Sequence, residues 1–107
     1  MIDINPERIE RALHYLAETD LSYAEAKAAL ESAEILRKRV RARVFLTEDG
    51  TVAERQAEAE THHDTEAADD QYVQAIKAFE ELKARRQRAE LLIDVWRSLE
   101  ATRRKAA

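Results

Sequence analysis

The 107-residue chain has no cysteine, one glycine and one proline. Without cysteine there is no disulfide framework, no zinc ribbon and no thiol nucleophile. One glycine and one proline cannot punctuate a multi-strand β fold, whose turns recur about every 8–12 residues. Aromatic residues are scarce at 6%. No apolar run approaches the roughly 18 residues that a membrane-crossing helix needs. Neither sign of charge dominates: 18 basic residues stand against 22 acidic ones, a formal net charge of −4. That balance argues against bulk attraction to DNA or to an anionic membrane, although it leaves room for a local basic patch. The serines are Ser22, Ser32 and Ser98, and there is no glycine-rich phosphate loop. No catalytic residue, cofactor or metal is therefore expected, and no membrane partner. The segment Met1 to Pro6 lacks the basic start and apolar centre of a signal peptide, so the cytoplasm is the expected compartment.

What remains is rich in Ala, Glu, Arg and Leu, the composition of long helices and coiled coils. Asn5-Pro6-Glu7 is a helix start, with an asparagine cap, a proline preset for the first helical position and an acidic residue at the positive end. Ile9, Ala12, Leu13 and Leu16 share one face, giving a first helix over about 6–18. Thr19-Asp20-Leu21 interrupts, and Ser22-Tyr23-Ala24-Glu25 has the spacing of a capping box. A second helix over about 23–46 carries Tyr23, Ala26, Leu30, Ala33, Val40 and Val44 as a core-facing stripe. Gly50 is the one residue that takes a left-handed conformation cheaply. Thr51-Val52-Ala53-Glu54 is another capping box and opens a third helix over about 52–104. Thr61-His62-His63-Asp64-Thr65 has poor helix propensity, so continuity or a kink is expected over 61–65. Beyond it Ala68, Tyr72, Ala75, Phe79, Leu82, Arg86, Ala89, Ile93 and Trp96 step by alternating four and three, a heptad seam with Arg86 its one polar member.

These elements predict an all-α fold: one domain over 1–107, an elongated, coiled-coil-like antiparallel helical hairpin turning at Gly50. Facing residues then have numbers summing to about 98. Leu16 falls opposite Leu82, Ile9 opposite Ala89 and Ile2 opposite Trp96. The basic run from Arg37 to Arg43 falls opposite 55–61, near Glu54, Glu58 and Glu60. The rival arrangement folds the first helix back on the second. A helix pair leaves apolar flanks wet, so a homo-oligomer is expected, a dimer forming a four-helix bundle, with Tyr72, Phe79, Leu82, Ile93 and Trp96 in the core or the interface. The alanines Ala24, Ala26, Ala28, Ala29, Ala33, Ala57, Ala59, Ala67 and Ala68 allow close approach of helices near the turn.

The candidate nucleic-acid contacts are Arg37, Arg39, Arg41 and Arg43, then Lys83, Arg85, Arg88 and Arg97. The bland reading of the first four is a solvated face paired with the acidic helix opposite. Between Thr47 and Asp70 there are nine acidic residues and one basic; from Gln71 onward there are nine basic and five acidic. An anionic partner is thus better matched to the half that contains Lys83, Arg85 and Arg88. His62 stands at i, i+4 spacing from Glu58 and Glu66, too few ligands for a shaped metal site.

The stretch from Ala89 to Ser98, followed by Ala101 and Arg103, together with Tyr72, Phe79-Glu80, Leu82 and Arg85-Arg86, resembles small helical proteins of tailed bacteriophages and prophages. The resemblance spans about 51–104. It implies a phage or prophage origin, residence in the host cytoplasm, and an accessory role in DNA replication or recombination near single-strand annealing proteins. It carries no catalytic or binding residues onto this chain. The leading expectation is therefore a non-enzymatic helical adaptor beside nucleic-acid machinery. The alternative is a protein-interaction or host-inhibitory module that uses the acidic segment 54–70 and no nucleic acid.

Overall fold

The computed structural model describes residues 3–106. It is all-α: α1 spans Pro6–Thr47, α2 Val52–Thr61 and α3 His63–Ala106, with no strand among the described residues. None of these helices is long and apolar enough to cross a membrane. The chain divides into two compact units. A terminal unit joins Met1–Ala24 to Glu80–Ala107, and a turn unit comprises Glu25–Phe79. In each unit α1 runs antiparallel to the returning chain, as a helical hairpin requires.

The local start signals act as the sequence predicts. The Arg8 amide donates to Asn5 Oδ1 at 2.9 Å, which caps α1. The Glu54 amide donates to Thr51 Oγ1 at 3.2 Å, which caps α2. Gly50 has φ +116°, and a Cβ there would come within 2.7 Å of Glu54 Oε2. Only glycine accepts that backbone without strain.

The predicted interruption at Thr19–Leu21 is absent: α1 is continuous through it, and the Ser22 capping box stays unused. Two contacts explain this. Thr19 Oγ1 donates to the Tyr15 carbonyl at 2.7 Å, the back-bond of a helix-interior threonine. Arg86 then holds Thr19 and Asp20 from the opposite helix. Tertiary contact overrides weak local propensity. The break falls instead at His62, the single residue between α2 and α3, with φ −63° and ψ 141°. Its amide donates to the Glu58 carbonyl at 2.8 Å and closes α2. Its Nδ1 accepts the Asp64 amide at 3.0 Å and caps α3.

The seam of the terminal unit is offset from the expected pairing by four residues, about one helical turn. Ile9 clusters with Ile93 where Ala89 was expected. The Leu16 carbonyl meets Arg86 where Leu82 was expected. The expected partner of Trp96, Ile2, lies outside the described residues. A stripe that repeats every three to four residues puts apolar on apolar in both registers, so its pattern cannot choose between them. Arg86 can choose, because the observed register gives it three acceptors.

The core is thin. In the terminal unit Ile9, Ala12 and Ile93 are buried, with Leu16, Ala89, Leu92 and Trp96 packed against them. In the turn unit Val40, Val44, Ala59 and Ala68 form the buried cluster, joined by Phe45. Ala33 is buried as well, whereas Ala24, Ala28, Ala29, Ala57 and Ala67 face solvent. Of the expected seam residues Phe79 and Ile93 are buried, and Tyr72, Leu82 and Trp96 half-buried.

Thr65, in the first turn of α3, is fully buried, and its hydroxyl has no hydrogen-bond partner among the described residues. A buried, unpaired hydroxyl costs free energy that an isosteric methyl does not. Thr65→Val is therefore expected to stabilise the fold by about 1 kcal/mol, seen as a raised midpoint in thermal unfolding. An unchanged or lowered midpoint would mean that the hydroxyl is satisfied.

Candidate interaction groove

Four arginines leave the helix faces as cross-helix clips. In the turn unit Arg37 Nε donates to Asp69 at 3.2 Å, and its guanidinium lies 4.7 Å from the Tyr72 ring centroid. Arg41 reaches both Glu60, at 3.1 Å, and Asp69, at 3.5 Å. The Arg41 Nε contact has no hydrogen-bond geometry, so it is charge pairing alone. Arg55 donates to the Phe45 carbonyl at 3.0 Å and stacks on the Phe45 ring at 4.2 Å. In the terminal unit Arg86 donates to the Leu16 carbonyl, Thr19 Oγ1 and Asp20 Oδ1 at 2.9, 2.6 and 2.7 Å, with the Tyr23 ring 5.0 Å away.

The basic run meets the expected Glu60 through Arg41 and, further along the chain than expected, Asp69 through Arg37 and Arg41. Arg37, expected opposite residue 61, is held by Asp69. Arg39 and Arg43 are exposed and make no ion pair among the described residues. Arg97 pairs with Asp94 at 3.8 Å on the α3 surface. Lys83 is half-buried in the terminal unit.

Arg85 and Arg88 have a different setting. They line a groove of about 690 Å³ that runs along one flank of the terminal unit, between the start of α1 and the later part of α3. Arg8 and Arg11 line it from α1, beside Tyr15. The rest of its lining is apolar: Ile4, Ala12, Ala89, Leu91, Leu92 and Val95. Arg8 also donates to the Asp3 carbonyl at 3.0 Å. Arg11, Arg85 and Arg88 are exposed and have no acidic partner among the described residues. Four cationic side chains thus share this surface with apolar ones, and none of the four has an ion pair among the described residues. The spacing gathers them: Arg8, Arg11 and Tyr15 stand at i, i+3 and i+7 on α1, and Arg85 and Arg88 at i, i+3 on α3.

Charge excess pointed to Arg85 and Arg88. Arg8 and Arg11 were missed, because their stretch of sequence is not basic overall. The available signal was helical spacing, which puts Arg8 and Arg11 on one edge of the Ile9–Ala12 stripe.

One more polar constellation sits in the turn unit. Glu48, Glu58 and His62 bring donor atoms within 4.8 Å of one another. His62, His63 and Asp64 do so as well, with the two imidazoles stacked at 4.3 Å. A neutral imidazole has one ring lone pair, and His62 uses its own at Nδ1 to cap α3. A cation on either trio would have to displace that cap.

Comparison with protein-family models, with curated proteins and with solved structures finds no match to the chain.

Proposed function

We propose that the protein is a non-enzymatic helical adaptor whose terminal unit docks an anionic partner along the arginine-lined groove. The supporting observation is the trio Arg11, Arg85 and Arg88: exposed, without acidic partners, and gathered from two helices onto one surface. Surface arginines on an acidic protein readily find carboxylates, as Arg37 and Arg41 do here. Leaving these three unpaired keeps like charges together, a cost that an incoming anion removes.

An accessory role beside nucleic-acid machinery, in a phage or prophage setting, belongs to the same proposal and draws on the resemblance in 51–104. So does self-association, which the exposed Leu13, Ile35, Leu36 and Leu99 favour. The inhibitory reading of segment 54–70 has less support, because Arg37 and Arg41 already neutralise Glu60 and Asp69.

Heparin chromatography tests the reading with a generic polyanion. The protein is expected to be retained at about 50 mM NaCl despite its net negative charge. The double variant Arg85→Glu/Arg88→Glu should elute at clearly lower salt, and Arg39→Glu/Arg43→Glu should shift less. A wild-type protein that flows through, or equal shifts for the two double variants, would overturn it.

A further inference from the structure

We infer that the occupant of the groove is an acidic amphipathic helix of a partner protein. This rests on the adaptor reading above and names the partner's chemistry.

The apolar part of the lining carries the argument. Leu91 is 62% exposed and Val95 38% exposed, both within the groove. A nucleic-acid backbone could use the arginines, but it would leave these side chains wet. An apolar stripe on the ligand would cover them, and apolar area removed from water contributes about 25 cal/mol per Å². The arginines then set the ligand's charge. Arg8 and Arg11 stand on the α1 side and Arg85 and Arg88 on the α3 side, so each wall of the groove sets basic groups among apolar ones. The complement of that pattern is a helix with an apolar stripe bordered on both sides by Asp or Glu, laid helix-in-groove.

Length and depth agree. The lining runs over 4–15 of α1 and 85–95 of α3, which at 1.5 Å per residue is roughly three helical turns. Ala12 and Ala89 line the groove nearest the buried cluster, and their small side chains leave room for a ligand's leucines. A second copy of this chain is a poor occupant of the same surface. A two-fold contact through this flank would set each copy's arginines against the other's, and like charges oppose such pairing.

The test uses the full-length protein and labelled probes in fluorescence anisotropy at low salt. One probe is a peptide of about four turns with leucines at i, i+4, i+7 and i+11 and glutamates on both flanks. The second is a scrambled isomer of identical composition, and the third is single-stranded DNA of matched charge. The amphipathic peptide is expected to bind about 10-fold or more tighter than its isomer, a difference of roughly 1.4 kcal/mol. Its circular dichroism should gain helix on binding. Leu91→Ser should weaken it about 5-fold, and Arg85→Glu/Arg88→Glu more than about 10-fold. These three side chains are exposed, so the variants are expected to keep wild-type melting curves, and a fallen midpoint is answered with Leu91→Ala and Arg85→Gln/Arg88→Gln. Equal binding of peptide and isomer overturns the proposed occupant while the anionic-partner reading stands. So does tight binding of DNA that Leu91→Ser leaves unchanged. Binding of none of the three probes overturns both.

Discussion

Replacing Arg86 with alanine is expected to lower the unfolding free energy by about 2–3 kcal/mol. The side chain occupies a seam position that every neighbouring heptad fills with an apolar residue, yet it is only 14% exposed. Its guanidinium donates three hydrogen bonds, to the Leu16 carbonyl, the Thr19 hydroxyl and the Asp20 carboxylate. The Tyr23 ring adds a cation–π contact at 5.0 Å. Two facts keep the cost below that of breaking a fully buried ion pair. Asp20 is 71% exposed, so water takes over when the arginine leaves. The Thr19 hydroxyl retains its bond to the Tyr15 carbonyl. What is lost is donation to the α1 backbone and the packing of the arginine stem. Arg86→Met separates the two losses. It restores the stem, so its stability should lie within about 1 kcal/mol of wild type. It removes the arginine clip of the terminal unit, so a second register there is expected to become populated. Spin labels at Ala17 and Ala84, both exposed positions, should then give a second distance displaced by about one turn, roughly 5 Å. Wild-type stability for Arg86→Ala, with one unchanged distance for Arg86→Met, would show that the clip does not hold the register.

That clip also marks where sequence reasoning stops. Helical class, the turn at Gly50 and the caps at Asn5 and Thr51 were legible because each depends on groups a few residues apart. The stretch 61–65 was legible as weak, with continuity and a kink both open, and the break at His62 falls inside it. Its mechanism was not legible: an imidazole that ends one helix and caps the next takes the propensity of no single residue. The expected break at Thr19–Leu21 failed for the opposite reason. Two poor helix formers there, Thr19 and Asp20, are held helical by an arginine more than sixty positions away, and no local window contains that information. Register was lost through degeneracy, since the heptad stripe matches itself at each turn.

Charge was half legible in the same way. The basic run 37–43 stood out in sequence, but the fold spends Arg37 and Arg41 on Asp69 and Glu60. The groove takes Arg85 and Arg88 from a visible basic cluster and Arg8 and Arg11 from a stretch that is not visibly basic. A charged residue at a seam position becomes a clip. One placed a step to the side stays exposed and can meet a partner. Which role each arginine plays follows from the register, and the register follows from Arg86.

Ile93→Ala is expected to cost about 3 kcal/mol. Ile93 is 6% exposed and shares the buried cluster of the terminal unit with Ile9 and Ala12, so few other side chains share the burial. Deleting three carbons removes their transfer free energy and leaves a hole facing Ile9. The full cavity penalty of a deep core should not develop, because the groove flank lined by Ala12 and Leu92 is open and can settle inward or admit water. That places the cost in the lower half of the usual range for Ile→Ala of about 2–5 kcal/mol. Leu91→Ala, two positions earlier but 62% exposed, should cost no more than about 0.5 kcal/mol. Urea unfolding followed by the fluorescence of Trp96, which packs against the Ile93 cluster, measures both at the same seam. Equal costs for the two would put the buried seam on the wrong face of α3, and the Arg85–Leu91–Val95 surface could then no longer be the open side of the helix pair.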